Sequence, residues 1–233
     1  NGSVGTLNMD SGTLNSGVAG GSSWFEIGNG GGCSGTLNIS GGVINKNGGD
    51  HFIVGANGST GVLNMTGGAI NVNNEFWVAN NGGSTGTLNL SAGTITNNSW
   101  VAIGRSGGTG SFNMTGGTWT KTGAGSQFIV GASGPGTMTQ SGGLVDVQAG
   151  YTWVGEGGGA STATYTISGT AELRSALISV GPESPNATLN LNGGTVRTRK
   201  FLGSRDENGG ATSGTGTVNF NGSQIIATAT NAE

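Results

Sequence analysis

Glu26, His51 and Glu75 supply two carboxylates and an imidazole, and two of them stand beside tryptophans: Trp24 is two residues before Glu26 and Trp77 two residues after Glu75. Trp100, Tyr151 and Trp153 extend this aromatic series, with Gln127 among them. Two chemistries use such a set. A carboxylate pair across a glycosidic bond can supply the acid and the base of an inverting hydrolysis. Flat rings in a row can instead stack on the apolar faces of sugars, while Glu26, His51, Glu75 and Gln127 meet the hydroxyl edges. The second is the stronger expectation, because the acids are sparse, isolated outward carboxylates are ordinarily solvated, and His51 beside Glu75 reads most simply as a surface pair. No Ser-His-Asp set, phosphate loop or calcium-repeat pattern accompanies them, so no catalysis and no metal or other cofactor is expected.

The elements that must position these residues come from an internal repeat. Gly5-Thr6-Leu7-Asn8-Met9 returns as Gly35-Thr36-Leu37-Asn38-Ile39, then from Gly61, Gly86, Gly110 and Gly136; it degenerates at Ala163 and reappears at Ala187 and Gly216. Successive starts lie 24 to 30 residues apart, the length of one solenoid coil. Each copy holds three short alternating stretches parted by glycine-rich corners. In the second copy these are Thr36 to Ile39, Val43 to Asn45 and His51 to Val54. Alternation points Leu37, Ile39, Ile44, Phe52 and Val54 to one side, as a core. One coil could not bury that face, whereas stacked coils can. The expected fold is all-β, a three-sided parallel β-helix of about nine rungs forming one domain over residues 1–233. The crossover rule for parallel strands favours a right-handed winding.

This frame assigns the chemistry-bearing residues to faces. Outward on the third strand, two residues before its closing position, stand Glu26, Ile53, Trp77, Ala102, Ile129, Trp153, Ser179 and, on the same count, Phe201. Four before it stand Trp24, His51, Glu75, Trp100, Gln127, Tyr151 and Leu177. Four of the five tryptophans therefore point away from the core, and an outward apolar face calls for a ligand or a covering segment. Trp119 falls inward, between Ile95 and Val145. A second surface, the outward Thr/Asn grid of the first strand (Thr6/Asn8, Thr36/Asn38 and their repeats), with Thr94-x-Thr96 beside Thr118-x-Thr120, resembles ice-binding arrays. It reads more simply as ladders that stabilise the stack.

Composition narrows the partners. Glycine supplies 52 of 233 residues and charged residues only 8%, and the periodicity argues against the disorder such a composition otherwise suggests. Eleven acids against eight bases, net -3 and without runs, leave no electrostatic footprint for nucleic acid or an anionic membrane. No apolar stretch reaches the roughly 20 residues of a membrane span, and no membrane insertion is expected. Cys33 stands alone, which excludes an intramolecular disulfide. The chain opens mid-pattern, as if cut from a longer polypeptide whose other domains would be its neighbours.

The Gly-Thr-Leu-Asn-hydrophobic-(Ser/Thr)-Gly-Gly core, followed by a Trp/Phe-x-Val-Gly strand, resembles the autotransporter-associated and PEP-CTERM-type β-strand repeats of large bacterial surface proteins. The resemblance covers nearly the whole chain and is clearest from Gly35 to Gly155. The Ala163 copy lacks the Leu-Asn pair, and the Ala187 copy has a basic third strand at Arg199-Lys200. The resemblance implies an extracellular or cell-surface location and carries no catalytic signature. The functional expectation is a non-catalytic polysaccharide-binding module for a neutral β-glucan or similar surface glycan, through Trp24, Trp77, Trp100, Tyr151 and Trp153. The alternative is a passive spacer or adhesin passenger.

Overall fold

The computed structural model of the chain describes residues 2–157, 162–204, 210 and 212–228. Among these residues there is no helix; twenty strands form one parallel β-solenoid. Its first three turns show how the repeat is used. β1 (Val4–Met9), β2 (Thr13–Ser16) and β3 (Phe25–Asn29) make the first, and β4 (Ser34–Ile39), β5 (Val43–Lys46) and β6 (Phe52–Ala56) the second. In the third, β7 (Thr60–Val72) rounds the first corner without a break before β8 (Phe76–Asn80). The later turns are β9 (Thr85–Asn97) with β10 (Val101–Arg105), β11 (Thr109–Met114) to β13 (Gln127–Ala132) through β12 (Thr118–Lys121), and β14 (Gly136–Gln140) to β16 (Tyr151–Glu156) through β15 (Leu144–Val147). β17 (Thr162–Val180) and β18 (Asn186–Gly203) are each a whole turn in one bent strand, and β19 (Gly216–Phe220) with β20 (Gln224–Ala227) begins another. The expected nine rungs are thus eight full turns and two strands of a ninth.

Register follows the repeat residue for residue. Leu7 pairs with Leu37, Leu37 with Leu63, and the column continues through Leu88, Phe112, Met138, Tyr165 and Leu189 to Val218. Its interior members form one buried cluster with Ile44, Phe52, Val54 and their equivalents. Hydrogen bonding along the stack fixes which residues share a column, and alternation then decides which columns are dry. The degenerate Ala163 copy fits because Tyr165 occupies the leucine column and donates its hydroxyl to Gln140 one turn earlier, at 2.5 Å. Trp119 is fully buried as expected, and its Nε1 donates to Asn97 Oδ1 at 3.0 Å. One assignment needs correction: Phe201 pairs with Ile178 and packs against the core, while Leu202 pairs with Ser179 on the outer face. The left-handed closing residue of this turn is therefore Ser204, at φ +50°, one residue beyond Gly203, which pairs with Val180 of the core.

The polar grid is a set of amide ladders. Asn38 Nδ2 donates to Asn8 Oδ1 at 2.7 Å, Asn64 to Asn38 at 2.9 Å, Asn89 to Asn64 at 2.8 Å and Asn113 to Asn89 at 2.9 Å. Each side chain thus meets its own copy one turn away. Inside, two lysines are also buried. Lys46 Nζ donates to the carbonyls of Gly48 and Asp50, and Lys121 Nζ to those of Gly123 and Ala149, so their stems fill the core while the ammonium ends tie down a corner. Burial lowers the pKa of Lys121 to about 8.

Candidate functional site

The outer face of the third strands is a strip whose columns are set by strand pairing. Glu26, Ile53, Trp77, Ala102, Ile129, Trp153 and Ser179 run along it in register. Each of these strands ends in a left-handed step: Gly28, Gly55, Ala79, Gly104, Gly131, Gly155 and Gly181 all have positive φ, which glycine adopts without strain. At Gly104 a Cβ would stand 2.0 Å from the carbonyl oxygen of Pro135, so the corner excludes any side chain there. The step returns the next residue to the outer face, because Ala56 and Ala132 pack with Ile53, Trp77, Ala102, Ile129 and Trp153 in a second apolar cluster separate from the main core. The floor of the strip is apolar from Ile53 to Trp153, with Glu26 at one end and Ser179 at the other; one flank carries Trp24, His51, Glu75, Trp100, Gln127 and Tyr151, and the other Asn29, Asn80, Arg105 and Glu156.

The outward direction of the tryptophans is as read from the sequence, but their exposure divides them. Trp24 is 50% exposed and Trp100 36%, whereas Trp77 is 4% and Trp153 7% exposed. Trp77 has no free ring face: His51 lies with its centroid 4.0 Å away, the Arg105 guanidinium sits 3.9 Å over the ring, and Nε1 donates to Glu75 at 2.8 Å. Trp24 joins this group edge-on to His51, at 4.9 Å. Trp153 is floor, with Tyr151 half-buried against the same cluster. Gln127 is buried too. Trp77, Trp153 and Gln127 therefore offer no open contact surface, contrary to the sequence expectation, because the left-handed corners and long neighbouring side chains close over the middle of the strip.

Two hollows remain along it. One, of about 310 Å³, lies between Trp24 and the amides of Asn29, Asn57, Asn80 and Asn81, with Glu26 and Ile53 beneath. Its far wall is a ladder in which Asn57 donates to Asn29 at 2.9 Å and Asn81 to Asn57 at 2.6 Å, and Glu26 accepts from Asn29. The other, of about 190 Å³, is bordered by Trp100, Arg105, Glu156 and Glu183 over Ala102 and Ile129. Arg105 bridges the two, since it covers Trp77 and donates to Asn80 Oδ1 at 3.1 Å.

Electrostatics differ between the hollows. Burial lowers the pKa of His51, outweighing the opposing pull of Glu75, so its ring is neutral at neutral pH. Burial and the nearby Glu183 raise Glu156 to about 7 against the opposing effect of Arg105, which makes it able to donate as well as accept hydrogen bonds near neutrality. His51 Nδ1 and Trp153 Nε1 are buried without partners on this same face. Among the described residues no three His, Cys, Asp or Glu side chains are grouped as a metal site would require.

Arg105, Asn29, Asn80 and Glu156 were not identified from the sequence. The available signal is that each of the four directly follows a closing residue (Gly28, Ala79, Gly104 or Gly155), and its return to the outer face requires knowing that the corner is left-handed. No family model, curated protein or solved structure matches the chain.

Proposed function

We propose that the chain is a non-catalytic glycan-binding rod in which Trp24 and Trp100 are the stacking platforms of two subsites along the third-strand groove. The observation that carries this reading is an exposed indole facing a wall of amides across Ile53 and Glu26, with Trp24 opposite the Asn29–Asn57–Asn81 ladder. A sugar ring has an apolar face and a hydroxyl edge, and such a cleft meets both. The two tryptophans are three rungs apart, about 14 Å at the spacing of hydrogen-bonded strands. That suits an extended polymer better than a single sugar. Glu26 and Glu75 support binding over hydrolysis, because each carboxylate already accepts a hydrogen bond from a neighbouring side chain. The ligand class is a neutral polysaccharide, a β-glucan or similar fibre at a cell surface, since the groove has no basic run for an acidic polymer.

Pull-down on insoluble glycans tests this. Trp24→Ala and Trp100→Ala should each weaken retention about tenfold, and the double variant should abolish it while its circular dichroism stays that of the parent. Unchanged retention in the double variant, or none by the parent on a panel of neutral and acidic polysaccharides, overturns the proposal. The second reading, a passive spacer, draws on the burial of Trp77 and Trp153 in a cluster that only stiffens the rod. Absence of retention by the parent would leave that reading in place.

A further inference from the structure

Asn81 belongs to the amide wall of the hollow beside Trp24, and Gly82 follows it. An asparagine before a glycine carries its own reaction partners, a side-chain amide carbon and a backbone nitrogen with no side chain beside it. What decides whether they meet is the freedom of that nitrogen. Gly82 is exposed, its N–H donates to no group among the described residues, and a Cβ built on it would meet nothing within 4 Å. Other Asn-Gly pairs are held. Gly30 N donates to Ala56 O at 3.2 Å, Gly58 N to Ser84 Oγ at 2.9 Å and Gly193 N to Ser223 Oγ at 3.0 Å, while Gly48 is buried. Asn29-Gly30-Gly31 repeats the residue types of Asn81-Gly82-Gly83, so the difference between those two pairs lies in the structure. Asn81 is also the last member of its ladder: it donates to Asn57 at 2.6 Å, and its own Oδ1 accepts from no described residue.

We propose that Asn81-Gly82 is a self-modification site that turns part of the amide wall into a carboxylate. The Gly82 nitrogen attacks Asn81 Cγ and gives up its proton to water. The Cγ–Nδ2 bond breaks, and Nδ2 takes a proton and leaves as ammonia. Water then opens the five-membered imide at one carbonyl or the other, giving aspartate or isoaspartate, and nothing is oxidised or reduced. Closure turns the Asn81 Cα–C bond to bring the two atoms together, which the unpartnered Gly82 and the open space around it allow. The product has no donor for Asn57 Oδ1, so the ladder loses its last rung, and a second carboxylate joins Glu26 in the same hollow. The effect on sugar binding rests on the glycan reading of this hollow; the modification itself does not.

Peptide mass mapping of the whole folded chain, aged in mildly alkaline buffer, tests this. The Asn81 peptide should gain about one mass unit at least about fivefold faster than the Asn29 peptide, the factor that one hydrogen bond on the attacking nitrogen is worth. In concentrated urea the two rates should become equal. Gly82→Ala, whose methyl group meets open space, should keep the circular dichroism of the parent and convert about tenfold more slowly. An Asn81 peptide that converts no faster than that of Asn29, a difference that persists in urea, or a Gly82→Ala variant that converts like the parent each overturn the proposal. Asn81→Asp, the finished product, should lower retention on a glycan that the parent binds about tenfold. Unchanged retention there overturns the effect on the groove, whereas a parent that retains no glycan overturns the glycan reading and leaves the conversion of Asn81 standing on its own rates.

Discussion

Trp24 and Trp77 occupy neighbouring columns of one face, yet they have different roles. Trp77 is enclosed by His51, Glu75 and Arg105, and removing it empties the middle of the second cluster. Trp77→Ala should therefore cost about 3 to 5 kcal/mol in urea denaturation, the range for deleting a large buried aromatic. Trp24→Ala, half in solvent, should cost under about 1 kcal/mol while losing glycan retention. Glu156 gives a prediction with a definite sign. Its folded pKa lies above its ordinary value through burial and Glu183, so its contribution favours folding below about pH 4.5 and is lost as pH rises through about 7. Glu156→Gln keeps the neutral shape at all pH. Its melting temperature relative to the parent should accordingly rise between pH 5 and pH 8, and a difference that is flat or falls over that interval would refute the assignment.

At the scale of elements, the groove is made by the corner after each third strand. Gly104→Ala should destabilise by more than about 2 kcal/mol, since its Cβ would meet the Pro135 carbonyl at 2.0 Å and its φ is +75°. Ala79 holds the same column with φ +64°, and it is tolerated where Gly108 lies against its methyl group. Ala79→Gly should thus be neutral or stabilising by up to about 1 kcal/mol, an opposite sign in the same column that thermal melts can resolve. The strands themselves were legible: alternation located Leu37, Ile39, Ile44, Phe52 and Val54 on the inner side, and the structure buries all five. The outward apolar face was legible too, but not what covers it, because the left-handed corners that return Ala56 and Ala132 to pack with Ile53, Ala102 and Ile129 leave no mark in the alternation. The rings of Trp77 and Trp153 had the right direction and the wrong exposure for the same reason.

For the whole molecule, stability is a sum of turn-to-turn interfaces, so turns with two neighbours should outlast those with one. Amide exchange followed by mass spectrometry should show the slowest exchange in β7 to β17 and the fastest in β1, β2, β19 and β20; uniform protection along the rod would contradict the nearest-neighbour picture. The sequence by itself determined the coil length, the columns and the inner face, because a parallel stack repeats one register and its hydrophobic period appears directly in the residues. It also indicated that Trp24, Trp77, Trp100 and Trp153 leave the core. Only the tertiary structure decided which of those rings meets solvent, because exposure depends on the corner that folds back over the face and on what His51, Arg105 and Glu75 reach from adjacent turns. No alternation within a single strand records those contacts.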